Sequence, residues 1–412
     1  MRFYNQVHQF YCGVDLHARS MYLCILDHQG NVVLHQDLPA EPTTFLEVVA
    51  PFREGLVVAC ECLFCWYWFA DLCVAEDIPF VLGHALYMKA ISGAKSKDDR
   101  IDSKKIAQLL RGGNLPIAYA YPKGMRETRD LLRRRMYLVH KRAEVIAHLV
   151  NTNSQYNLPP LGKKLIYAKN RLELNISARF TDPSVRQSAA IDLQLIDHFA
   201  QLIGEVELFL ERTVKVDDAD GFYRLRSIPG VGKILSLVLL YEIHDIRRFA
   251  SEGQFLSYAR LVRPKKTSAG KVTGGGGAKI GNAHLKWAFS EAACLLARES
   301  DQAKRFLARK GKQHGKAKAL GILAARLGRA VYQMLRQQRA FDAKRFWNGE
   351  PKVAPEAPKK VSTPKRQSKA ALQVQKNEIS PEVNKQEARS ERKKPAGKPR
   401  RRGKTAPCVL QA

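Results

Sequence analysis

Residues 11–38 read YCGVDLHARSMYLCILDHQGNVVLHQDL. YCGVD is a short apolar run ending on a carboxylate, MYLCILD follows after the polar turn HARS, and NVVLHQDL supplies a third run. Short apolar runs separated by turn residues predict an antiparallel three-stranded meander. Working outward, LVVACEC at 56–62 is a β-branched apolar run of the kind that forms a buried strand. CWYWFADLCVAED reads as a helix and PFVLGH as another short strand. DDRIDSKKIAQLL reads as a helix carrying Ile101, Ile106, Leu109 and Leu110. Three strands, then strand, helix, strand, helix, predict an α/β domain with a mixed sheet over residues 1–122.

The pattern changes over residues 123–218. Leu132, Met136, Val139, Ala143, Ile146 and Val150 alternate spacings of four and three, as do Leu195, Phe199, Leu202, Val206 and Phe209. This predicts two long amphipathic helices with coiled-coil seams. An antiparallel hairpin, a dimerising stalk and a plain helical spacer all fit the pattern. Residues 219–348 read as a third, mostly helical unit with glycine-rich loops. From Gly349 onward the chain has no aromatic residue and is rich in Lys, Arg, Pro, Ala, Ser and Gln. Such a composition cannot bury enough apolar surface to offset ordering, so 349–412 is expected to be a disordered basic tail.

The charge points to a partner. With 69 Lys+Arg against 39 Asp+Glu, the 412-residue chain carries a net charge of +30. Residues 351–412 account for 12 of these charges and residues 1–350 for the other 18, so the body is basic in its own right. The usual partner of such an excess is nucleic acid. The longest apolar run, Leu63–Ala70, is far shorter than the roughly 20 residues a membrane helix needs. MRFYNQVHQFYCG has no apolar central stretch, so no signal peptide is expected. Eight cysteines without a regular framework suit a reducing compartment. The expected location is the cytoplasm, nucleoid-associated in a bacterium.

Against this basic background, KSKDDRIDSKKIA at 95–107 places three aspartates within five positions. A solvated helix start explains them simply, as a turn or cap role explains most aspartates at strand ends. Metal binding is the sharper alternative. Asp15 ends the first predicted strand, Glu61 lies near the end of the fourth, and Asp99 and Asp102 share one helix face at a spacing of three. Asp98 and Asp102, four apart, share a face as well. Four such carboxylates can hold two Mg²⁺ ions, a hard-oxygen arrangement suited to phosphoryl transfer. A structural zinc at Cys62 and Cys65 is another possibility, with Cys73 and His84 as the nearby candidates, although no second pair of matching spacing follows.

Two glycine-rich segments extend the reading. SIPGVGKILSLVLLYEI at 227–243 predicts a helix-hairpin-helix in which Gly230 and Gly232 admit a phosphate and Lys233 adds charge, although a plain connector has the same look. RLVRPKKTSAGKVTGGGGAKIGNAHLKWAFSEAA at 260–293 contains Gly274, Gly275, Gly276 and Gly277 after Lys265, Lys266 and Lys271. Together these suit close approach to a nucleic-acid backbone. Asn282 is placed to cap a helix beginning at Ala283. Ser268, among these lysines, reads by itself as an ordinary turn serine.

GVDLH at 13–17, CE at 60–61 and DRID at 99–102 resemble the signature of DEDD-type transposases of the insertion-sequence one-ten family. The PGVG turn, the Ser268 loop and the Gly-Asn helix start resemble the C-terminal domain of the same family. The resemblance implies a ribonuclease H-like, RuvC-like N-terminal domain. It implies Asp15, Glu61, Asp99 and Asp102 as ligands of Mg²⁺ or Mn²⁺, and it favours Asp99 over Asp98. It further implies Ser268 as a nucleophile that joins covalently to DNA, although the motif here is Ser-Ala-Gly rather than Ser-Gly. A noncoding guide RNA and homo-oligomers, dimer or tetramer, are implied partners beside DNA. The function implied is movement of an insertion sequence by cutting and rejoining DNA. Its rivals are a Holliday-junction-type endonuclease that uses water and a nucleic-acid-binding protein without enzymatic activity.

Overall fold

A computed structural model describes residues 2–91, 98–162, 164–262, 266–274 and 280–348. The expected tail lies outside them. The first elements are β1 (Phe3–Tyr4), β2 (Phe10–Leu16), β3 (Ser20–Asp27), β4 (Val32–Pro39), α1 (Pro42–Val49), β5 (Leu56–Glu61), α2 (Trp66–Ala75), β6 (Phe80–Gly83), α3 (Ala85–Ile91), α4 (Asp99–Arg111) and β7 (Leu115–Pro116). The predicted meander is present, with β2 antiparallel to β3 and β3 antiparallel to β4. On the other side β2 runs parallel to β5, and β5 parallel to β6. The sheet order is therefore β4-β3-β2-β5-β6, with β3 alone reversed. β1 pairs with β7 in a separate ribbon.

Alternation along β2 decides what each face buries. Cys12, Val14 and Leu16 face Val58, Cys60, Phe45 of α1 and Phe69 of α2. Tyr11 faces the opposite layer with Val57, Ala59 and Val81, packed on Ile106 and Leu110 of α4. Gly13 shares that second face. A methyl group there would overlap the backbone of Ser103 and Ala107, so α4 lies directly on the strand. Ile101, expected among the apolar positions of this helix, is exposed.

Two long helices follow, α5 (Met125–Gln155) and α7 (Pro183–Asp217), with the short α6 (Ala168–Leu174) between them. They form an antiparallel pair. Arg135 near the start of α5 donates to Glu207 late in α7 at 2.8 Å, and His148 meets Asp192 at 2.7 Å. The seam differs from expectation. In α7 the buried apolar residues are Ala189, Ile196, Ile203, Leu210 and Val214, whereas Leu195 and Phe209 are exposed. In α5, Leu132, Met136 and Leu149 are buried, while Val150 and Ala143 are exposed. Adjacent residues sit about 100° apart on a helix, so a broad apolar stripe leaves undecided which edge is covered.

The remaining elements are α8 (Ala219–Arg226), α9 (Lys233–Ile243), α10 (Glu252–Tyr258), the hairpin strands β8 (Lys266–Ser268) and β9 (Lys271–Gly274), α11 (Ala283–Glu299), α12 (Asp301–His314), α13 (Lys316–Gln337) and α14 (Ala343–Asn348). Their core gathers Leu237, Tyr241, Phe255, Phe289, Leu323 and Val331 around the nearly wholly buried α9. Leu132 and Met136 of α5 and Leu210 and Val214 of α7 belong to the same core, so the base of the helix pair is rooted in it. Residues 1–350 hold together as one compact unit. Among the described residues, no helix is long and apolar enough to cross a membrane.

Candidate functional site

The acidic group begins with the capping of α4. Asp98, in extended backbone, accepts from the Arg100 N–H at 3.3 Å and serves as the N-cap. That leaves Asp99 and Asp102 as the acids of the first turn. β2 delivers Asp15 at its carboxyl end, and the parallel register Val14↔Cys60 puts Glu61 one step beyond on the neighbouring strand. Asp15 and Glu61 therefore lie at adjacent carboxyl ends of parallel strands, on the face that α4 covers. Carboxyl ends of strands are where α/β sheets gather their ligand-binding groups.

Asp15 is only 7% exposed. Burial pushes its carboxyl up to about 6; His17 opposes that rise, and the carboxylates of Asp99, Asp102 and Glu61 add to it. His17 was not singled out from sequence, yet its Nε2 lies 3.6 Å from Asp15 Oδ2 and 3.4 Å from Asp99 Oδ2. Asp15, His17 and Asp99 each offer a ligand atom, all within 4.8 Å of one another. Asp102 is ion-paired with Lys105 at 3.0 Å. The position of His17 two residues after Asp15 was legible, but the return of α4 over the strand end was not. Gly13 was also missed. It carries no functional group, and its role is to let α4 come close enough to bring Asp99 to Asp15.

The zinc alternative finds no support. Cys73 is buried in the apolar core beside Cys60, and Cys65 donates its thiol to the Leu16 carbonyl at 3.1 Å. Among the described residues, the cysteines and His84 form no group of three ligands.

The predicted basic loops lie elsewhere in the unit. The PGVG turn lies between α8 and α9. Gly230 has φ +80°, and a side chain there would collide with the backbone of Leu295 and Leu296, so packing on α11 already requires this glycine. Gly232 and Lys233 are the exposed members of the turn, with Lys233 paired to Glu211 at 2.7 Å. Ser268 is exposed on β8 and faces Lys271 across a two-residue turn. The corners of that turn, Ala269 and Gly270, have φ of +48° and +74°. The alanine that interrupts the Ser-Gly pattern thus occupies a left-handed corner that L-residues adopt at a cost of roughly 1–2 kcal/mol. No described hydrogen bond or ion pair joins Ser268 to Asp15, Glu61, Asp99 or Asp102. Gly274 ends β9, whereas Lys265, Gly275, Gly276, Gly277 and the side chain of Lys266 lie outside the described residues.

The base of this serine loop is clamped. Asn282 N–H donates to the Tyr258 carbonyl at 2.6 Å, and Asn282 Oδ1 caps α11 by accepting from the Leu285 N–H at 3.0 Å. The Asn282 amide also donates to Glu242 Oε2 at 2.7 Å. Arg133 of α5 grips both oxygens of Glu242, at 2.7 and 2.9 Å. Glu242 is 1% exposed. Burial acts to raise its carboxyl, but Arg133 and then Asn282 outweigh this and hold it below the ordinary value of 4.5. Tyr121 OH donates to the Glu242 carbonyl at 2.7 Å, so the segment leaving the sheet is tied into the same network. The capping role of Asn282 was predicted; the partnership with Glu242 and Arg133 was not.

The sheet order with one reversed strand, and acids converging at its carboxyl ends, fit the ribonuclease H-like class of nucleic-acid-processing domains. A family model for DEDD transposases of the IS110 type, described as "Transposase", matches residues 12–157. A second, described as "Transposase IS116/IS110/IS902 family", matches residues 223–308, and together the two matches span more than half of the chain. The chain is also 23% identical over 334 residues to "Transposase for insertion sequence element IS1111A" of Coxiella burnetii (strain RSA 493 / Nine Mile phase I), covering 80% of this chain and 90% of that protein. The chain belongs to the IS110 family of DEDD transposases. Membership implies DNA binding and the cutting and rejoining of DNA, and it suggests use of a divalent metal.

Proposed function

We propose that the chain moves an insertion sequence through a metal-bound acidic group formed by Asp15, Glu61, Asp99 and Asp102 together with a serine nucleophile, Ser268. The observation that carries this reading is the convergence of Asp15 and Asp99 at the strand end, made possible by α4 lying on Gly13. The donor set fits a hard cation. A buried carboxyl pushed up to about 6 with three further carboxylates close by is a concentration of negative charge that a cation relieves. These residues would hold Mg²⁺ or Mn²⁺. Bound there, a divalent ion supplies charge stabilisation to the oxygens entering and leaving phosphorus.

Ser268 Oγ attacks a DNA phosphorus, losing its proton as the oxygen–phosphorus bond forms. The bond from phosphorus to a deoxyribose oxygen breaks, and that oxygen takes up a proton. Attack by a new DNA end on the phosphoserine reverses the exchange and rejoins the strands. The turn at Gly230 and Gly232 with Lys233, read as a helix-hairpin-helix, and the loop lysines and glycines from Lys265 to Gly277 are proposed to hold backbone phosphates. The exposed apolar edge of α7, with Leu195 and Phe209, supports assembly of copies through a coiled coil. A noncoding guide RNA belongs to the same proposal, as do domain boundaries at 122/123 and 218/219. The 349–412 tail, a further proposed unit, would be a nonspecific nucleic-acid arm.

A water-using nuclease is the second reading, in which the acidic group acts on a water and Ser268 plays no part. A denaturing gel of labelled element-end DNA incubated with protein, Mg²⁺ and flank-encoded RNA decides between them. A protein-linked DNA band lost in both Ser268→Ala and Asp102→Ala is expected. Cleavage without such a band, unaffected by Ser268→Ala, would establish the nuclease instead.

A further inference from the structure

Between α12 and α14 lies an open cleft of about 420 Å³ lined by Gln302, Arg305, Phe306, Arg309, Trp347 and Asn348. The four α12 residues recur at spacings of three, one and three, so they form a single stripe down one helix face. The opposite wall is braced by Arg326. Arg326 of α13 donates to the carbonyls of Phe346 and Trp347, each at 3.0 Å, and lies over the rings of Phe306, Phe346 and Trp347. Residues 302–341 contain eleven Lys/Arg and not one Asp or Glu. Lys312, exposed like Arg305 and Arg309, continues the cationic row along α12 beyond the cleft. The family matches end at residue 308, so the Trp347 wall lies outside them.

We propose that this cleft is a nucleotide-binding site taking one unpaired base of a nucleic-acid strand, stacked on Trp347 with its flanking phosphates on Arg305 and Arg309. Each chemical part of a nucleotide has a counterpart here. An aromatic ring offers a stacking platform for any base. Gln302 and Asn348 bring amides, the groups that pair with base edges. Guanidinium groups match phosphate oxygens. The cationic row running on along the helix suits a strand rather than a free nucleotide. An acidic peptide would satisfy the arginines but leave the aromatic wall and the amides without partners. The inference rests on the chain binding nucleic acid, and is independent of the acidic group and of Ser268.

The test uses the full chain with short single-stranded RNA and DNA oligonucleotides carrying 5-iodouracil, which couples on illumination to a stacked aromatic ring. Mass spectrometry is expected to place an adduct on the peptide containing Trp347, and the RNA and DNA arms tell which strand is bound. Arg305→Ala combined with Arg309→Ala, both exposed, is expected to weaken binding roughly tenfold, and Trp347→Leu to remove that adduct. Adducts confined to the tail or to the Ser268 loop, with affinity unchanged in the double variant, would overturn the site. A chain that still forms serine-linked DNA without any Trp347 adduct would overturn this proposal while leaving the proposed function standing.

Discussion

Two buried carboxylates of this chain meet opposite fates. Asp15 is gathered with three other acids and is pushed up to about 6. Glu242 is the more deeply buried, yet it is held below its ordinary value because Arg133 and Asn282 meet it with short, directed bonds. Burial raises both; what differs is the company. A carboxylate whose bonds are completed by the protein is part of the frame. One surrounded by further carboxylates is destabilised in the folded state, and natural proteins keep such strain where function needs it.

The largest test of this contrast replaces Asp15. Asp15→Asn is expected to lower DNA cutting and rejoining by roughly 10³-fold, the scale of several kcal/mol supplied by a metal site, while leaving the melting temperature equal or higher. A large loss of stability would show that Asp15 is structural and would break the comparison. Arg133→Met probes the other side. It leaves Glu242 buried without its main partner, at a cost of about 3 kcal/mol, measurable as a lower thermal midpoint.

Gly13→Ala is a smaller, geometric perturbation. It pushes α4 off β2 and separates Asp99 from Asp15. A displacement on the 1 Å scale costs roughly 10²-fold in activity, and the overpacking about 1–3 kcal/mol in stability. Activity assays beside thermal melts distinguish this from simple unfolding. The mildest effect concerns acid. Glu242 has a depressed folded value, so its stabilisation is present above the unfolded value of about 4.5 and is lost as pH falls through the folded one. Chemical denaturation from pH 6 downward should show stability falling below about pH 4.5, with a shallower slope in Glu242→Gln. An identical slope in the variant would remove Glu242 from this account.

Much of the acidic group could be read in the chain. Asp15 and Glu61 stood at the ends of apolar runs, and Asp99 and Asp102 shared one helix face. Spacing alone did not separate Asp98 from Asp99; in the fold Asp98 caps α4, while Asp99 lies with Asp15 and His17. The helix pair shows the opposite balance. Its two helices were predicted, but the buried seam of α7 runs through Ile196 and Ile203 rather than Leu195 and Phe209. Both stripes are apolar, and periodicity carries no record of which neighbour covers them.

By itself, the sequence determined the alternation of strands and helices, the basic character of the body, the presence of two long helices and the residue types of the candidate acids. Those are local properties, set by side-chain period, turn chemistry and composition. Tertiary structure decided that α4 returns over Gly13, that His17 bridges Asp15 and Asp99, and that Arg133 and Asn282 complete Glu242. Each of these depends on the approach of segments far apart in the chain, and that approach is governed by the shape of the packed surfaces, which no local pattern encodes.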